Sequence, residues 1–445
     1  MKRLLKSFPA LDAWLWRLRH GRPEMVTDPR LREKVLALQL EVRRLNAATR
    51  VAAEQARRDR LARLRAKGKP IRVLFVAHDP AYWPSHDSIY RAMADDPAFD
   101  PLVVAMHRDE NFQVMDKGMW RFCQAEGLRA VPGYDPANNR WLDPASLEPD
   151  VVFFQQPYPF YPPQWSATAV SLLADLWYTP YDITVFKGAT DDAVNDESFL
   201  QHMRWIVKEG ELTADRFRHR FAGRPWFNPD RLLIAGSPKL EGLHTSSPDL
   251  RSADQSMTLL WTPRWRTEEG VCHFFEYHPL FLAYARQHPD VQVIVRHHPN
   301  AERNFEVTGE MPAAEWQQVH AAFDALPNAC VDRADDYRIA LGQADVLITD
   351  TSSMIPNVLA MDKPVIYTHR QSVFNELGER MAEGCYWAHS FAEIERTVAE
   401  LRAGRDPLAD RRRQLVQACF HQPAAGAGAT IAEAVKRDVF ADADE

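Results

Sequence analysis

The chain has 445 residues, 46% hydrophobic and 26% charged, which is ordinary for a globular protein but too long for one core, so two domains plus an appendage are expected. The net charge of −7 is unevenly spread: residues 1–69 hold 19 Lys and Arg against 7 Asp and Glu, so a basic arm precedes an acidic body. That distribution excludes general nucleic-acid binding and turns the arm towards an anionic surface such as a cytoplasmic leaflet, or simply towards solvent.

Residues 1–68 read as a helical arm. Leu4, Leu5, Phe8, Leu11, Trp14, Leu15 and Leu18 give its start an apolar, Trp-bearing side among basic residues, which suits a membrane interface or docking on the protein's own surface. Leu31, Val35, Leu38, Val42 and Leu45 alternate steps of four and three, a short coiled-coil seam continued weakly to Ala56. Residues 31–56 therefore offer a homodimer contact, or a face that packs on the body.

Gly68-Lys69-Pro70 ends the arm. Ile71–Ala77 opens a first sheet, with strand-like runs at Leu102–Met106, Val151–Phe154, Ile183–Phe186, Trp205–Val207 and Leu232–Ala235. Helix-like stretches at Ser88–Ala94, Phe112–Ala125, Ala167–Leu176 and Thr213–Phe221 separate them. Residues 246–256 are polar and aperiodic and read as a linker. The alternation then restarts, with strands at Leu259–Thr262, Val291–Arg296, Cys330–Val331, Val346–Thr349 and Val365–Tyr367, and helices such as Phe281–Gln287, Ala313–Ala322 and Phe391–Leu401. The expected fold is α/β: two tandem Rossmann-like, doubly wound domains, 69–245 and 246–445, behind the arm of 1–68. The run Val151–Ala174 is uncharged but holds four prolines and three glutamines, so it does not read as a membrane span, and the N-terminus is a poor signal peptide. Five scattered cysteines without C-x-x-C spacing fit reduced thiols in the cytosol and no zinc site.

In open α/β sheets ligands sit beyond the C-terminal strand ends, and four segments of the second half place polar groups there. Asp350-Thr351-Ser352-Ser353 runs from a strand into a helix, offering backbone N–H groups, two hydroxyls and a helix N-terminus to a phosphate or diphosphate. His297 and His298 emerge after an apolar strand, where an imidazole can donate to ribose or phosphate. Arg264 and Arg266 follow another strand, and guanidinium forks suit phosphate oxygens. Gly236-Ser237-Pro238-Lys239 is a turn into a helix with Lys239 in its first turn. Taken singly, each has a plain structural reading as an N-cap, a turn, a surface ion pair or a helix entry. In this order and all at strand ends, they favour a site for a nucleotide-activated donor.

The same residues resemble the CDP-glycerol glycerophosphotransferase family. The match is carried by Gly236, Pro238 and Lys239; by Pro263, Trp265 and Arg266; by His298 and Pro299; by Asp350, Ser352 and Ser353; and by Lys363 and Pro364. The resemblance implies the two-domain glycosyltransferase-B fold and a role in teichoic-acid-like or capsular polymer synthesis. The implied reaction moves glycerol phosphate, or a sugar, from a nucleotide-activated donor to a polysaccharide or lipid-linked acceptor. On this reading the enzyme lies on the inner face of the cytoplasmic membrane and needs no cofactor or metal, because Arg266 and His298 neutralise the leaving nucleotide. The family's Trp-His-Gly segment, whose His is the proposed base, corresponds here to Val185-Phe186-Lys187-Gly188, and a protonated lysine does not accept a proton. His86 and then Asp87, on the loop after the first strand, are the substitutes, followed by Asp191 and Asp192. Gln155 and Gln156, with Lys187 and Asp191, are candidates for the acceptor side. An ordinary sugar-nucleotide transferase, a sugar-nucleotide epimerase and a binding module without a base are the alternatives.

Overall fold

The computed structural model describes residues 29–440, apart from 111–112, 189–193, 245–255, 268–269, 271, 335 and 369–372. The apolar segment expected at residues 4–18, most of the expected linker, and Asp191 and Asp192 lie outside the described residues.

Two parallel sheets organise the body. The first holds β1 (Ile71–Ala77), β2 (Phe99–Ala105), β3 (Ala130–Pro132), β4 (Val151–Phe154), β5 (Asp175–Tyr178), β6 (Trp205–Lys208) and β7 (Leu232–Ile234), in the order β7-β6-β5-β4-β1-β2-β3. The second holds β8 (Met257–Thr262), β9 (Val291–Val295), β10 (Ala329–Val331), β11 (Val346–Thr349), β12 (Val365–Tyr367) and β13 (Tyr386–Trp387), in the order β10-β9-β8-β11-β12-β13. Every strand pair in both sheets is parallel. Helices cover both faces, so the strands are apolar runs buried on two sides. Chain order reverses between β1 and β4 in one sheet and between β8 and β11 in the other, and such reversals open a crevice above the strand ends.

Three elements differ from the sequence reading. The helix expected at Phe112–Ala125 runs only from Met119, after a short hairpin of Arg108–Glu110 with Gln113–Met115. Asp175–Tyr178 is a central strand and not the end of a helix, and Ile183–Phe186 is not a strand of the sheet. The latter segment crosses to the second unit. Val185 O accepts from the Asn375 N–H at 2.9 Å, the Lys187 N–H donates to Val373 O at 2.9 Å, and Phe186 stacks on Phe374. A Cβ on Gly378 would lie 2.0 Å from Val185 O, so only glycine lets the helix Glu376–Ala382 approach this closely. The last helix, Ala427–Phe440, falls in the stretch assigned above to the second domain. It packs on the first sheet, with Ile431, Val435 and Val439 in the same core as Val73 and Phe75.

The arm is one helix from Pro29 to Lys67. Its seam is open where described: Leu38, Val42 and Leu45 are 66%, 52% and 53% exposed, while Val35 is buried. Its C-terminal part docks on the first unit through Leu61 and Leu64 and through charge. Arg57 Nε donates to Asp175 Oδ2 at 2.9 Å and Arg60 grips the other carboxylate oxygen. Arg204 pairs with Asp438 of the last helix at 2.8 Å. These guanidiniums explain how β5 begins on a buried carboxylate: burial raises the Asp175 pKa and the two arginines oppose it.

Asp175→Ala leaves Arg57 and Arg60 buried without their shared acceptor. Urea unfolding should show a loss of about 3–5 kcal/mol, and an unchanged midpoint would mean the arm is not held by this pair.

Candidate active site

The two reversals face one cleft. On the second unit, the loops after β8 and β11 lie side by side, because Thr262 and Thr349 are paired in register and their hydroxyls are 2.8 Å apart. Asp350, next in the chain, has no solvent access. Its Oδ2 accepts from the backbone N–H groups of Arg264 and His273, each at 3.0 Å. Its Oδ1 meets His273 Nδ1 at 2.7 Å and the Thr368 hydroxyl. Asp350 therefore does not bind the donor. It is a knot that ties the ends of β8, β11 and β12 together.

The knot presents the remaining motif residues. The Trp265 ring carries the Arg266 guanidinium 3.9 Å above one face and stacks with the His298 ring, centroids 5.0 Å apart. Asn304 Nδ2 fixes Trp265 O at 3.1 Å. His298 is open to solvent, and its Nδ1 accepts the Asn300 N–H at 3.1 Å, which leaves Nε2 to carry the proton of the neutral ring. Partial desolvation of the ring, then the charges of Arg264, Arg266 and Lys117, lower its pKa to about 4. His298 is thus a neutral donor near pH 7, and the arginines beside it supply the positive charge. The helix expected to begin at Ser352-Ser353 begins at Ile355 and spans six residues, so its dipole is short. Thr351, Ser352 and Ser353 form the turn before it. The Ser352 hydroxyl accepts the Met354 N–H at 3.2 Å, and Ser353 is exposed.

Several expected site residues serve the fold instead. His297 points into the second core, stacked on His320 at 4.9 Å and against Trp316. Gly236 turns with φ +79°, and a Cβ there would lie 2.5 Å from His421 O. Ser237 precedes the helix Pro238–Glu241. Lys239 is buried with its Nζ 3.8 Å from Asp182, and so does not reach out to a phosphate. Lys363 donates to Leu341 O and Gly342 O at 2.8 Å each, capping the helix Tyr337–Gln343.

On the first unit the expected bases are not presented to the cleft. His86 is wholly buried among Phe75, Phe153 and Trp83, its Nδ1 3.3 Å from Gln155 Nε2, and burial lowers its pKa to about 3. Asp87 accepts from Trp83 Nε1 at 3.0 Å, Arg91 Nε at 2.9 Å and Arg338 of the second unit at 3.2 Å. Its carboxylate locks the two units together. Gln155 is core, and Gln156 accepts the Tyr158 N–H at 2.6 Å to hold its own loop. Lys187 is an exposed ion pair with Glu379 at 3.0 Å.

Apart from Tyr158, whose phenol follows the Gln155-Gln156 pair expected on the acceptor side, the cleft is lined by residues the sequence reading passed over. The charge of Lys117 helps lower the pKa of both His78 of the first unit and His298 of the second. Arg108 lies 3.6 Å over the Phe160 ring and also acts on His78, whose Nδ1 is 2.9 Å from the Tyr161 hydroxyl. Tyr82 stacks on Tyr181 at 4.1 Å, and the Tyr181 hydroxyl is 3.2 Å from that of Tyr158. All follow β1, β4 or β5, or lie on or just past the short hairpin after β2. The signal for Tyr181 and Asp182 was their place just past a strand end, hidden while β5 was read as helix.

Residues 213–374 match the family model described as CDP-glycerol:poly(glycerophosphate) glycerophosphotransferase. No curated protein matches the chain by sequence. Among solved structures, the wall teichoic acid polymerase TagF is similar with a TM-score of 0.55 at 14% identity, over 84% of this chain and 90% of that one. UDP-GlcNAc 2-epimerase from Neisseria meningitidis, bound to UDP-GlcNAc, gives 0.51 at 9% identity over 84% and 100%. Another UDP-N-acetylglucosamine 2-epimerase gives 0.54 at 12% over 85% and 97%. At these identities the structures establish the fold, the glycosyltransferase-B architecture. The family match bears out the resemblance read from the motifs, and with it a nucleotide-activated transferase.

Two measurements follow. Asp350→Asn turns an NH2 towards donors already in place, costing about 1–3 kcal/mol for each group left unsatisfied. Calorimetry should show both a lower melting temperature and weaker CDP binding, and retention of both would remove the knot from the account. The imidazoles of His78, His86 and His297 have pKa values lowered by burial to about 3 from 6.5. The unfolded chain takes up these protons below pH 6.5 and the folded one does not until near pH 3. Their stabilisation is therefore complete above pH 6.5 and lost as the pH falls. Melting temperature should drop between pH 7 and pH 5, with a shallower slope in His297→Phe; equal slopes would contradict the assignment.

Proposed function

We propose, from the membership of residues 213–374 in the CDP-glycerol glycerophosphotransferase family, that this protein transfers glycerol phosphate from CDP-glycerol to a hydroxyl of a surface polysaccharide or its lipid-linked primer. The observation that carries the reading is the His298–Trp265–Arg266 stack beside Ser352 and Ser353, at the reversal point of the second sheet. A diphosphate there meets the Nε2–H of His298, two guanidiniums and the hydroxyl-bearing turn. TagF, which shares this fold, was soaked with CDPG.

In the reaction an acceptor oxygen attacks the phosphorus that carries glycerol. The bond from that phosphorus to the bridging oxygen breaks, and its electron pair leaves with CMP. Arg264, Arg266 and the His298 donor balance the charge that develops on the departing phosphate. The first unit, with Tyr82, Tyr158, Tyr181, Arg108 and Lys117, forms the acceptor side. Among the described residues no helix is long and apolar enough to cross a membrane. The basic arm, with its open Leu38–Val42–Leu45 face, suits peripheral attachment to the inner leaflet or pairing with a second copy.

Purified protein should release CMP from CDP-glycerol in proportion to added acceptor, followed by chromatography. Turnover of UDP-, GDP- or CMP-sugars in its place would move the reading to a sugar transferase. Interconversion of UDP-GlcNAc without acceptor would move it to an epimerase.

A further inference from the structure

The reaction needs a group to take the acceptor's proton, and the residues expected to do so are engaged elsewhere. Asp182 stands at the crossing of the two units. Its backbone follows β5, fixed by Tyr181 N–H to Gln155 O at 2.8 Å, and leads into the segment 183–187 that docks on the second unit. Its carboxylate lies 3.8 Å from Lys239 Nζ of the Gly-Ser-Pro-Lys turn, its Oδ1 is buried without a hydrogen-bond partner, and the hydroxyl of Ser353 in the donor turn lowers its pKa. Unlike His86, its side chain keeps 9% exposure.

Resting on the transferase reading above, we propose that Asp182 is the general base, taking the role that a histidine does not fill at Lys187. The acceptor O–H gives its proton to a carboxylate oxygen of Asp182 as the oxygen forms its bond to phosphorus. The phosphorus–oxygen bond to CMP breaks, and the proton is later lost to solvent.

The surroundings suit a carboxylate better than the nearby imidazole. Burial raises the pKa of Asp182, whereas Lys239, the Ser353 hydroxyl and the Ile183 N–H lower it. Its charge in turn helps raise the pKa values of Tyr82, Tyr158, Tyr178 and Tyr181 of the first unit and of Tyr337 of the second. Glu209, after β6, is the remaining charged neighbour, its own pKa raised by burial. His78, by contrast, sits between Arg108 and Lys117, which resist a further positive charge.

Acceptor-dependent CMP release and CDP affinity test the assignment together. Asp182→Asn should lower kcat at least 100-fold, the lower end of a general base's contribution, while the CDP Kd stays within about threefold. Asp182→Glu should recover part of the rate. Lys239→Met removes the charge that keeps Asp182 ionised, so the acid limb of its kcat–pH profile should move to higher pH. A rate for Asp182→Asn within threefold of wild type overturns the proposal, as does a parallel loss of CDP affinity, which would mean that Asp182 only positions Ser353. Should Asp182→Asn not fold, the Lys239→Met profile decides, and an unmoved acid limb is the contrary result. A wild type that turns over no nucleotide donor overturns the transferase reading and this assignment with it.

Discussion

Four hydrogen bonds converge on Asp350, a carboxylate with no contact with water. A charge so placed is tolerated only when its oxygens are filled, and here the donors come from the chain after β8, from His273 and from the end of β12. The constraint is geometric as much as energetic. With Asp350 saturated, the loop carrying Arg264, Trp265 and Arg266 cannot move independently of the turn carrying Ser352 and Ser353. Everything that can meet a phosphate in the second unit hangs from that knot.

A second constraint is charge. The cleft gathers Arg108, Lys117, Arg264 and Arg266, yet its imidazoles His78 and His298 are driven towards the neutral form by desolvation and by those same cations. The division of labour follows: guanidiniums supply charge and His298 supplies an oriented N–H. Asp182 and Lys239 form a buried pair at the junction, where burial raises the one and lowers the other. Asp87 to Arg338, and segment 183–187 against Phe374 and Asn375, join the units beneath the cleft. The lining is thus set by contacts that hold without ligand.

How much of this was legible in the chain depends on the range of the interaction. Val346–Thr349 and Val365–Tyr367 stood out because a strand buried on both faces is a continuous apolar run. The donor turn, Arg266 and His298 followed from their place just beyond such runs. β5 was misread because it opens on Asp175, whose charge is met by arginines more than a hundred residues earlier. That error hid Asp182, the residue just past its end. His86 and Asp87 sat on the expected loop, but helix Pro84–Ala94 turns one into the core and the other against Arg338, an orientation no local pattern reveals. Ile183–Phe186 looked like a strand because it is apolar, yet its backbone partners lie in the other unit.

The central claim is that the anionic bridge of an activated donor rests between the Ser352–Ser353 turn and the His298–Trp265–Arg266 stack. A crystal structure with CDP-glycerol bound measures this most directly. The account predicts diphosphate oxygens within hydrogen-bond distance of Ser352 or Ser353, of His298 Nε2 and of a guanidinium of Arg264 or Arg266. A nucleotide lodged in the first unit, or in the second with its phosphates turned away from these groups, contradicts it.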